Sequence, residues 1–389
     1  MPSTDKSLIG PNKQNPHNAP IGVDEFSSLM KGVGVGIDAD TNPPSVAVGV
    51  SGGADSMALV LLVDRWAKSR GGSVLGITVD HCLREGSDRE ALQVASWLKE
   101  RSIKHEIVKW KNGQGLYAGV QARAREARYR LMTGVCEQNG IKHLLVAHNM
   151  EDQAETFIMR LRHKSGLDGL ASMAKERKLD ADGSISVVRP LLGIAKQRLK
   201  DTLASMNQPW VEDPSNNNHK YERVRTRALL AQLQASEGIS PEHFARAASG
   251  IGALRHILDR ATGEFIDTHA HISEGGEVSC IKIPKKEFFS LDRQIMARAL
   301  IMVIAKLGKD GYPPSGEKIT RIVDWLLDDG GVHARTLGGC RISKNGHFLL
   351  IKPEPGRKKP TPPMVNNVTY QNLGQKTGEK IIPSLVAGH

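Results

Sequence analysis

Val46-Ala47-Val48-Gly49-Val50-Ser51-Gly52-Gly53-Ala54-Asp55-Ser56 is the stretch on which the fold turns. Val46–Val50 is a short β-branched run, and Ser56–Trp66 carries apolar residues at helical spacing: Met57, Leu59, Val60, Leu61 and Val63. A strand therefore runs into a helix through two adjacent glycines, which let the backbone turn tightly and come close to an anion. The helix N-terminus aims its free N–H groups at the same place, and Ser51 and Ser56 add hydroxyls. Asp55 would repel a phosphate unless a cation lies between them, so magnesium ligation is its natural role. No Lys follows the glycines, so this is not a Walker A loop. The plainer alternative is a Gly-rich turn in which Asp55 and Ser56 cap the helix.

Outward from this stretch, strands alternate with helices. Strands are expected at Ser73–Val79, His105–Val108, His143–Ala147 and Ile185–Val188. Helices are expected at Asp88–Arg101, Val120–Asn139, from Asn149 onward and at Ile194–Met206. The alternation predicts an α/β fold, a parallel sheet with helices on both faces, with its ligands at the carboxyl ends of the strands. Beyond residue 233 it stops. Pro241–Phe265, Ser290–Leu307 and Glu317–Leu327 read as helices, and Arg335–Ser343 and His347–Ile351 as short β pieces. The expected organisation is a flexible tail over 1–40, a catalytic α/β domain over 41–233, a C-terminal region over 234–352 that is helical and then short β, and a poorly ordered tail over 353–389. Within the first tail, a short amphipathic turn around Phe26, Leu29 and Met30 is placed to dock onto the body. Gly34, Gly36 and Ala39 match a G-x-G-x-x-A pattern, but no strand precedes them, so the dinucleotide reading is discarded.

Composition narrows the classes. The 389 residues are 39% hydrophobic and include 39 Gly, enough for a real core and against general disorder. No apolar run approaches the ~18 residues of a membrane helix. No basic segment followed by an apolar stretch opens the chain, so the expected compartment is the cytoplasm. Cys82, Cys136, Cys280 and Cys340 form no C-x-x-C pair, which removes zinc ribbons and thioredoxin-type chemistry and fits free thiols in a reducing compartment. The net charge of +11 suits either a solvated basic surface or a polyanionic partner. With aromatics at only 4%, backbone and shape outweigh base stacking in any nucleic-acid contact.

Three more stretches carry chemistry. Val79-Asp80-His81-Cys82-Leu83-Arg84 places His81 and Arg84 at a strand's carboxyl end. Gln121–Arg130 holds four arginines, with Arg125 and Arg128 at i, i+3, where both can reach a phosphate or simply form a solvated face. In Ala147-His148-Asn149-Met150-Glu151-Asp152-Gln153-Ala154-Glu155, His148 ends a strand and Asn149 caps a helix. Asp152 and Glu155 share one face of that helix. They either complement the helix dipole, Asp152 closing a capping box, or recognise a cation such as an amino group.

The Ser51–Ser56 loop resembles the PP-loop of the ATP pyrophosphatases, S-G-G-x-D-S. With the later stretches, the chain from Val46 to Leu230 resembles the bacterial tRNA(Ile)-lysidine synthetase family. Gly166-Leu167-Asp168-Gly169-Leu170 after Arg160 and Arg162 supports this, as does Trp210–Asn216 followed by Arg223, Arg225 and Arg227. Leu337-Gly338-Gly339-Cys340 is the clearest echo beyond Leu230. The chain departs from the family pattern at His163-Lys164-Ser165-Gly166, where R-G-S-G is common, and at Arg223-Val224, where Arg-Asn is common.

The resemblance implies an adenine-nucleotide α-hydrolase-like fold and an ATP- and magnesium-dependent ligase. It would adenylate carbon 2 of the wobble cytidine in the CAU anticodon of isoleucine tRNA, and free lysine would then displace AMP. Ser51, Gly52, Gly53, Ala54, Asp55, Ser56, Arg125, Arg128 and His148 would bind ATP, with Asp55 on magnesium. Asp152 and Glu155 would bind lysine, and Asp55, Arg128, Asp152 and Glu155 would carry catalysis. Arg84, Arg160, Arg162, Lys164, Arg223, Arg225 and Arg227 would follow tRNA phosphates. A homodimer is compatible with this reading. The alternatives are a PP-loop tRNA 2-thiolation enzyme, which the scattered cysteines disfavour, and a non-catalytic RNA-binding protein.

Overall fold

The computed structural model describes residues 19–35, 43–82, 86–110, 120–179, 184–212, 222–273, 280–307, 314–328, 333–354 and 368–372. They fall into two units. The first comprises residues 1–163, 172–248 and 365–389, and the second residues 164–171 and 249–364.

The first unit opens with α1 (Val23–Lys31), then β1 (Ser45–Gly49), α2 (Ala54–Lys68), β2 (Ser73–Asp80), α3 (Ser87–Glu100), β3 (Lys104–Trp110), α4 (Val120–Gln138), β4 (His143–Leu145) and α5 (Met150–Arg162). The four-residue α6 (Leu167–Leu170) belongs to the second unit. Then follow β5 (Glu176–Lys178), β6 (Ser186–Val188), α7 (Lys196–Ser205), α8 (Glu222–Glu237) and α9 (Pro241–His269), within which the first unit ends. The sheet order is β12-β3-β2-β1-β4-β6-β5, with β12 (Val368–Asn372) at one edge. The five central strands are parallel; β12 and β5 run antiparallel at the edges. This is the expected α/β fold, and its edge strands make the sheet mixed.

Strand alternation sorts the two faces. Val46 and Val48 of β1 pack with α2, α3 and α7 through Leu59, Val63, Val94, Leu98, Leu199 and Leu203. Ala47 faces the opposite way, with Leu75 and Ile77, onto Ala127, Leu131 and Val135 of α4. Part of the predicted 1–40 tail is built into the first of these cores. Phe26 and Met30 of α1 are fully buried there, and Arg198 donates to both carboxylate oxygens of Glu25 at 2.8 and 2.7 Å. Likewise, Val368–Asn372 of the predicted C-terminal tail pairs with β3, since an edge strand offers a free row of backbone groups. The remaining residues of both tails lie outside the described ones.

Strands β1, β2 and β3 are pinned by one side-chain relay. Thr78 Oγ1 donates to the Val50 carbonyl at 2.7 Å, and His105 Nε2 lies 2.8 Å from the same hydroxyl. Burial lowers the His105 pKa to about 4 from an ordinary value of 6.5. Below pH 6.5 the unfolded chain takes up a proton that the folded chain refuses, so stability is lost as pH falls from 6.5 towards 4. Urea midpoints measured between pH 7 and pH 5 are expected to fall, and to fall less in His105→Gln; equal slopes in both proteins would contradict this.

The second unit holds a five-stranded antiparallel sheet, β7-β8-β11-β10-β9. Its elements are the rest of α9, β7 (His271–Ser273), β8 (Cys280–Pro284), α10 (Lys285–Phe289), α11 (Arg293–Leu307), α12 (Gly316–Leu327), β9 (Ala334–Leu337), β10 (Cys340–Asn345) and β11 (Phe348–Pro353). Ile281, Ile283, Leu300, Val303, Ile322, Trp325 and Ile351 form its core. Gly338 and Gly339, at φ +59° and +74°, make the two-residue turn of the β9–β10 hairpin. A Cβ on Gly338 would stand 2.6 Å from Ile304 Cγ2, so the turn excludes a side chain for space as well as for conformation. Asp168 of α6 accepts from Arg298 at 2.8 Å, and Arg298 also binds Asp259, which ties the Gly166–Leu170 stretch into this unit. Among the described residues, no helix is long and apolar enough to cross a membrane.

Candidate active site

The loop after β1 is held in shape before any ligand arrives. Gly52 sits at φ +86°, where a Cβ would stand 2.8 Å from Val94 and 3.3 Å from Val211. Its carbonyl accepts from the Val211 amide at 2.9 Å. Ser56 Oγ accepts from the Ser51 amide at 3.1 Å and donates to the Gly53 carbonyl at 3.0 Å, closing the loop on itself. Gly53 is the N-cap of α2 and supplies no side-chain cap. The first-turn N–H groups of Ala54, Asp55 and Ser56 therefore point out of the helix without intrahelical partners.

Three helix N-termini meet here. Asn149 caps α5 in a full capping box: its Oδ1 accepts from Asp152 N at 3.0 Å, and Asp152 Oδ2 accepts from Asn149 N at 3.2 Å. The carboxylate of Glu151 accepts from the Lys196 amide, the first of α7, at 3.1 and 2.9 Å. Lys196 Nζ reaches back to Asp55 Oδ2 of α2 at 3.6 Å. Converging N-termini build positive potential, which suits an anionic ligand. Burial raises the Asp55 pKa, Lys196 opposes that rise, and the neighbouring Asp152 adds to it. Asp55 Oδ1 is buried without a hydrogen-bond partner, a geometry that fits a carboxylate oxygen reserved for a cation. Among the described residues no three His, Cys, Asp or Glu side chains gather into a metal cage, so a cation here would rely on one or two carboxylates and on phosphate oxygens.

Arg125 and Arg128 share α4 but engage different partners. Arg128 Nε donates to His81 Nε2 at 3.3 Å, whereas the Arg125 guanidinium lies 5.5 Å over the Tyr129 ring. Burial, with Arg128 beside it, lowers His81 to about 4, so the imidazole is neutral and accepts that bond. His148, three residues beyond β4, is lowered to about 3, chiefly by burial, and is neutral as well.

Several expected residues are placed otherwise. Glu155 is 1% exposed, and its carboxylate is already engaged by Arg227 Nε at 2.5 Å and by Arg223 Nε at 3.6 Å. Adjacent packing of α5 and α8 brings these opposite charges together, so without a ligand Glu155 is paired within the protein, while the Arg223 and Arg227 side chains stay 39% and 38% exposed. Arg160 and Arg162 are exposed on the last turn of α5, Arg225 is exposed on α8, and Lys164 is exposed at φ +52° in the second unit. Arg84 and residues 213–216 lie outside the described residues. Cys136, Cys280 and Cys340 are buried free thiols and Cys82 is half-buried; burial pushes Cys136 up to about 12.

The PP-loop domain model matches residues 30–233. The chain is 35% identical to a tRNA(Ile)-lysidine synthase of Wolbachia from Brugia malayi, over 84% of this chain and 74% of that one. The chain belongs to the tRNA(Ile)-lysidine synthase family. A Bradyrhizobium synthase (strain BTAi1) is 34% identical over 81% of this chain and 91% of its own length. Among solved structures, a U34-tRNA thiolase from Methanococcus maripaludis superposes with a TM-score of 0.49 at 19% identity, over 59% of this chain and 80% of that one.

Lys196, beside Asp55, and the buried Arg189 were not singled out by their sequence patterns. The apolar pattern starts the helix at Ile194, two residues before α7 begins, so it does not mark Lys196 as the helix's first residue. Arg189 is 4% exposed and follows β6 directly. An Arg-Pro pair at a strand's carboxyl end was the available signal.

Proposed function

We infer that the chain uses ATP to join free lysine to carbon 2 of the wobble cytidine in the CAU anticodon of isoleucine tRNA, forming lysidine. The observation that carries this reading is the match to named synthases over 84% of the chain, across the loop and helix starts where Asp55 and Asp152 lie side by side. In the first step the cytidine O2 attacks the α-phosphorus of ATP and pyrophosphate leaves. Ser51, Ser56 and the first-turn amides of α2 hold the departing pyrophosphate, and Arg128 offsets the charge that builds on the α-phosphate. Asp55 would hold magnesium, which supplies charge neutralisation between that carboxylate and the phosphates.

In the second step the side-chain amine of lysine attacks carbon 2. The new C–N bond forms, the C–O bond to AMP breaks, and the amine proton passes to a carboxylate. With Glu155 engaged by two arginines, Asp152 is the acid left to receive the lysine cation and to accept that proton. Neutral His148 keeps extra positive charge away from it. Exposed Arg160, Arg162, Lys164 and Arg225 supply tRNA phosphate contacts, so tRNA affinity is expected to fall steeply with salt; a dissociation constant unchanged between 50 and 200 mM salt would contradict this.

Asp152→Asn tests the lysine assignment cleanly, because an amide oxygen still accepts from Asn149 N and keeps the capping box. The variant is expected to raise the KM for lysine by at least about tenfold, the worth of one charge-assisted contact, and to leave the KM for ATP unchanged. An unchanged lysine dependence would assign Asp152 to helix capping alone.

A further inference from the structure

Three guanidinium groups of the first unit converge on Tyr129 at the β6–β5 edge of the sheet. Arg125 lies 5.5 Å and Arg177 5.8 Å from the ring centroid. Arg189, 4% exposed, interacts with the Tyr129 side chain and donates from Nη1 to the Ala174 carbonyl at 2.9 Å. Its Nε is buried with no hydrogen-bond partner. Among the described residues no carboxylate ion-pairs with any of the three, in contrast to Arg198, Arg223, Arg227 and Arg298. Three like charges gathered without a carboxylate partner, two of them exposed and one buried with an idle donor, favour an anion at this place.

The site lies beside the nucleotide site, within electrostatic reach of His148, but on the opposite face of the sheet from the helix that the pyrophosphate loop leads into. Val187 of β6 belongs to the core under α4, Arg177 is registered opposite Val187, and strand alternation puts Arg189 on the same face. The loop leads into α2, on the other face. Three strand spacings, about 14 Å, separate β1 from β5. Lys175, just before β5, and Arg177 and Lys178 within it are all exposed, and Glu176, the acid among them, is within 3.8 Å of Lys178. The charge therefore continues as a track along the edge strand, which suits a repeating polyanion better than a single nucleotide.

We propose that Arg125, Arg177 and Arg189, gathered around Tyr129, form a phosphate-binding site for the single-stranded RNA that flanks the target base. The site rests on the tRNA reading above and names where the backbone next to the reacting nucleotide is gripped. Arg189 supplies the buried cation, Arg177 reaches the phosphodiester from the edge strand, and the Tyr129 ring packs against the Arg125 and Arg177 guanidiniums.

Arg177 is exposed, so Arg177→Ala leaves the core intact and is the variant of choice. Binding of isoleucine CAU tRNA, without ATP, is expected to weaken about five- to tenfold near 0.1 M salt, and the log–log salt slope to become shallower by about 1. Arg177→Lys, which keeps the charge, is expected to restore the slope. ATP affinity measured without tRNA should stay at the wild-type value. Unchanged tRNA affinity and slope in Arg177→Ala would overturn the proposal, as would a loss of ATP affinity with tRNA binding intact, which would assign the cluster to the nucleotide. A parallel assay of lysine transfer keeps the two readings apart. A wild-type protein that binds tRNA through Arg177 but transfers no lysine would refute the ligase reading and leave this site standing.

Discussion

Asp55→Ala is expected to lower lysidine formation by about 10³-fold or more, a loss of about 4 kcal/mol of transition-state stabilisation. Pyrophosphate release should fall with it, because the carboxylate is assigned to the adenylation step. Its unbonded Oδ1 and its position at the start of α2 place it where the phosphates would be held. The fold should survive. The change removes one first-turn acid worth under about 1 kcal/mol to the helix and relieves the burial that raises the Asp55 pKa. Thermal unfolding and pyrophosphate release measured on the same sample check both halves. Retained activity would remove Asp55 from the mechanism, and a collapsed fold would make it structural.

Arg227→Ala is expected to cost about 2–3 kcal/mol of stability at pH 7. It strips the 2.5 Å partner from a carboxylate that is 1% exposed and leaves only Arg223 at 3.6 Å. Burial already raises the Glu155 pKa, and Arg227 is the main opposing influence. Without it the folded-state pKa moves further above the unfolded value, so the penalty is full at neutral pH and shrinks as falling pH protonates Glu155. Adding Glu155→Gln should recover part of the loss. Urea midpoints at pH 7 and pH 5 measure this; a cost below about 0.5 kcal/mol at pH 7 would show that the α5–α8 pair is not needed. Because Asp152 lies one turn before Glu155, the same change is also expected to lower turnover.

The strand–loop–helix core was legible because the apolar period switches from 2 to 3.6 between Val50 and Met57, with glycines at the switch. Asn149 and Asp152 were legible too, since a capping box is a local pattern. The edge strand β5 was not: Glu176, Arg177 and Lys178 are all exposed and show no apolar alternation. The same holds for α8, where Thr226 and Leu230 are the buried positions recorded and the arginines dominate the pattern. The Glu155–Arg227 pairing was not legible, for a physical reason. Opposite charges 72 residues apart look like separate ligand contacts until packing of α5 on α8 lets them satisfy one another. The arginine cluster around Tyr129 needed the β5–β6 register to be seen at all, since its members come from three elements.

The central claim is tested most directly by incubating the protein with isoleucine CAU tRNA, ATP, magnesium and labelled lysine, then digesting the tRNA and locating the label. The account predicts label on the wobble nucleoside as lysidine, with one pyrophosphate and one AMP released for each lysine joined. Pyrophosphate release without label in the RNA, or label at any other nucleotide, would contradict it.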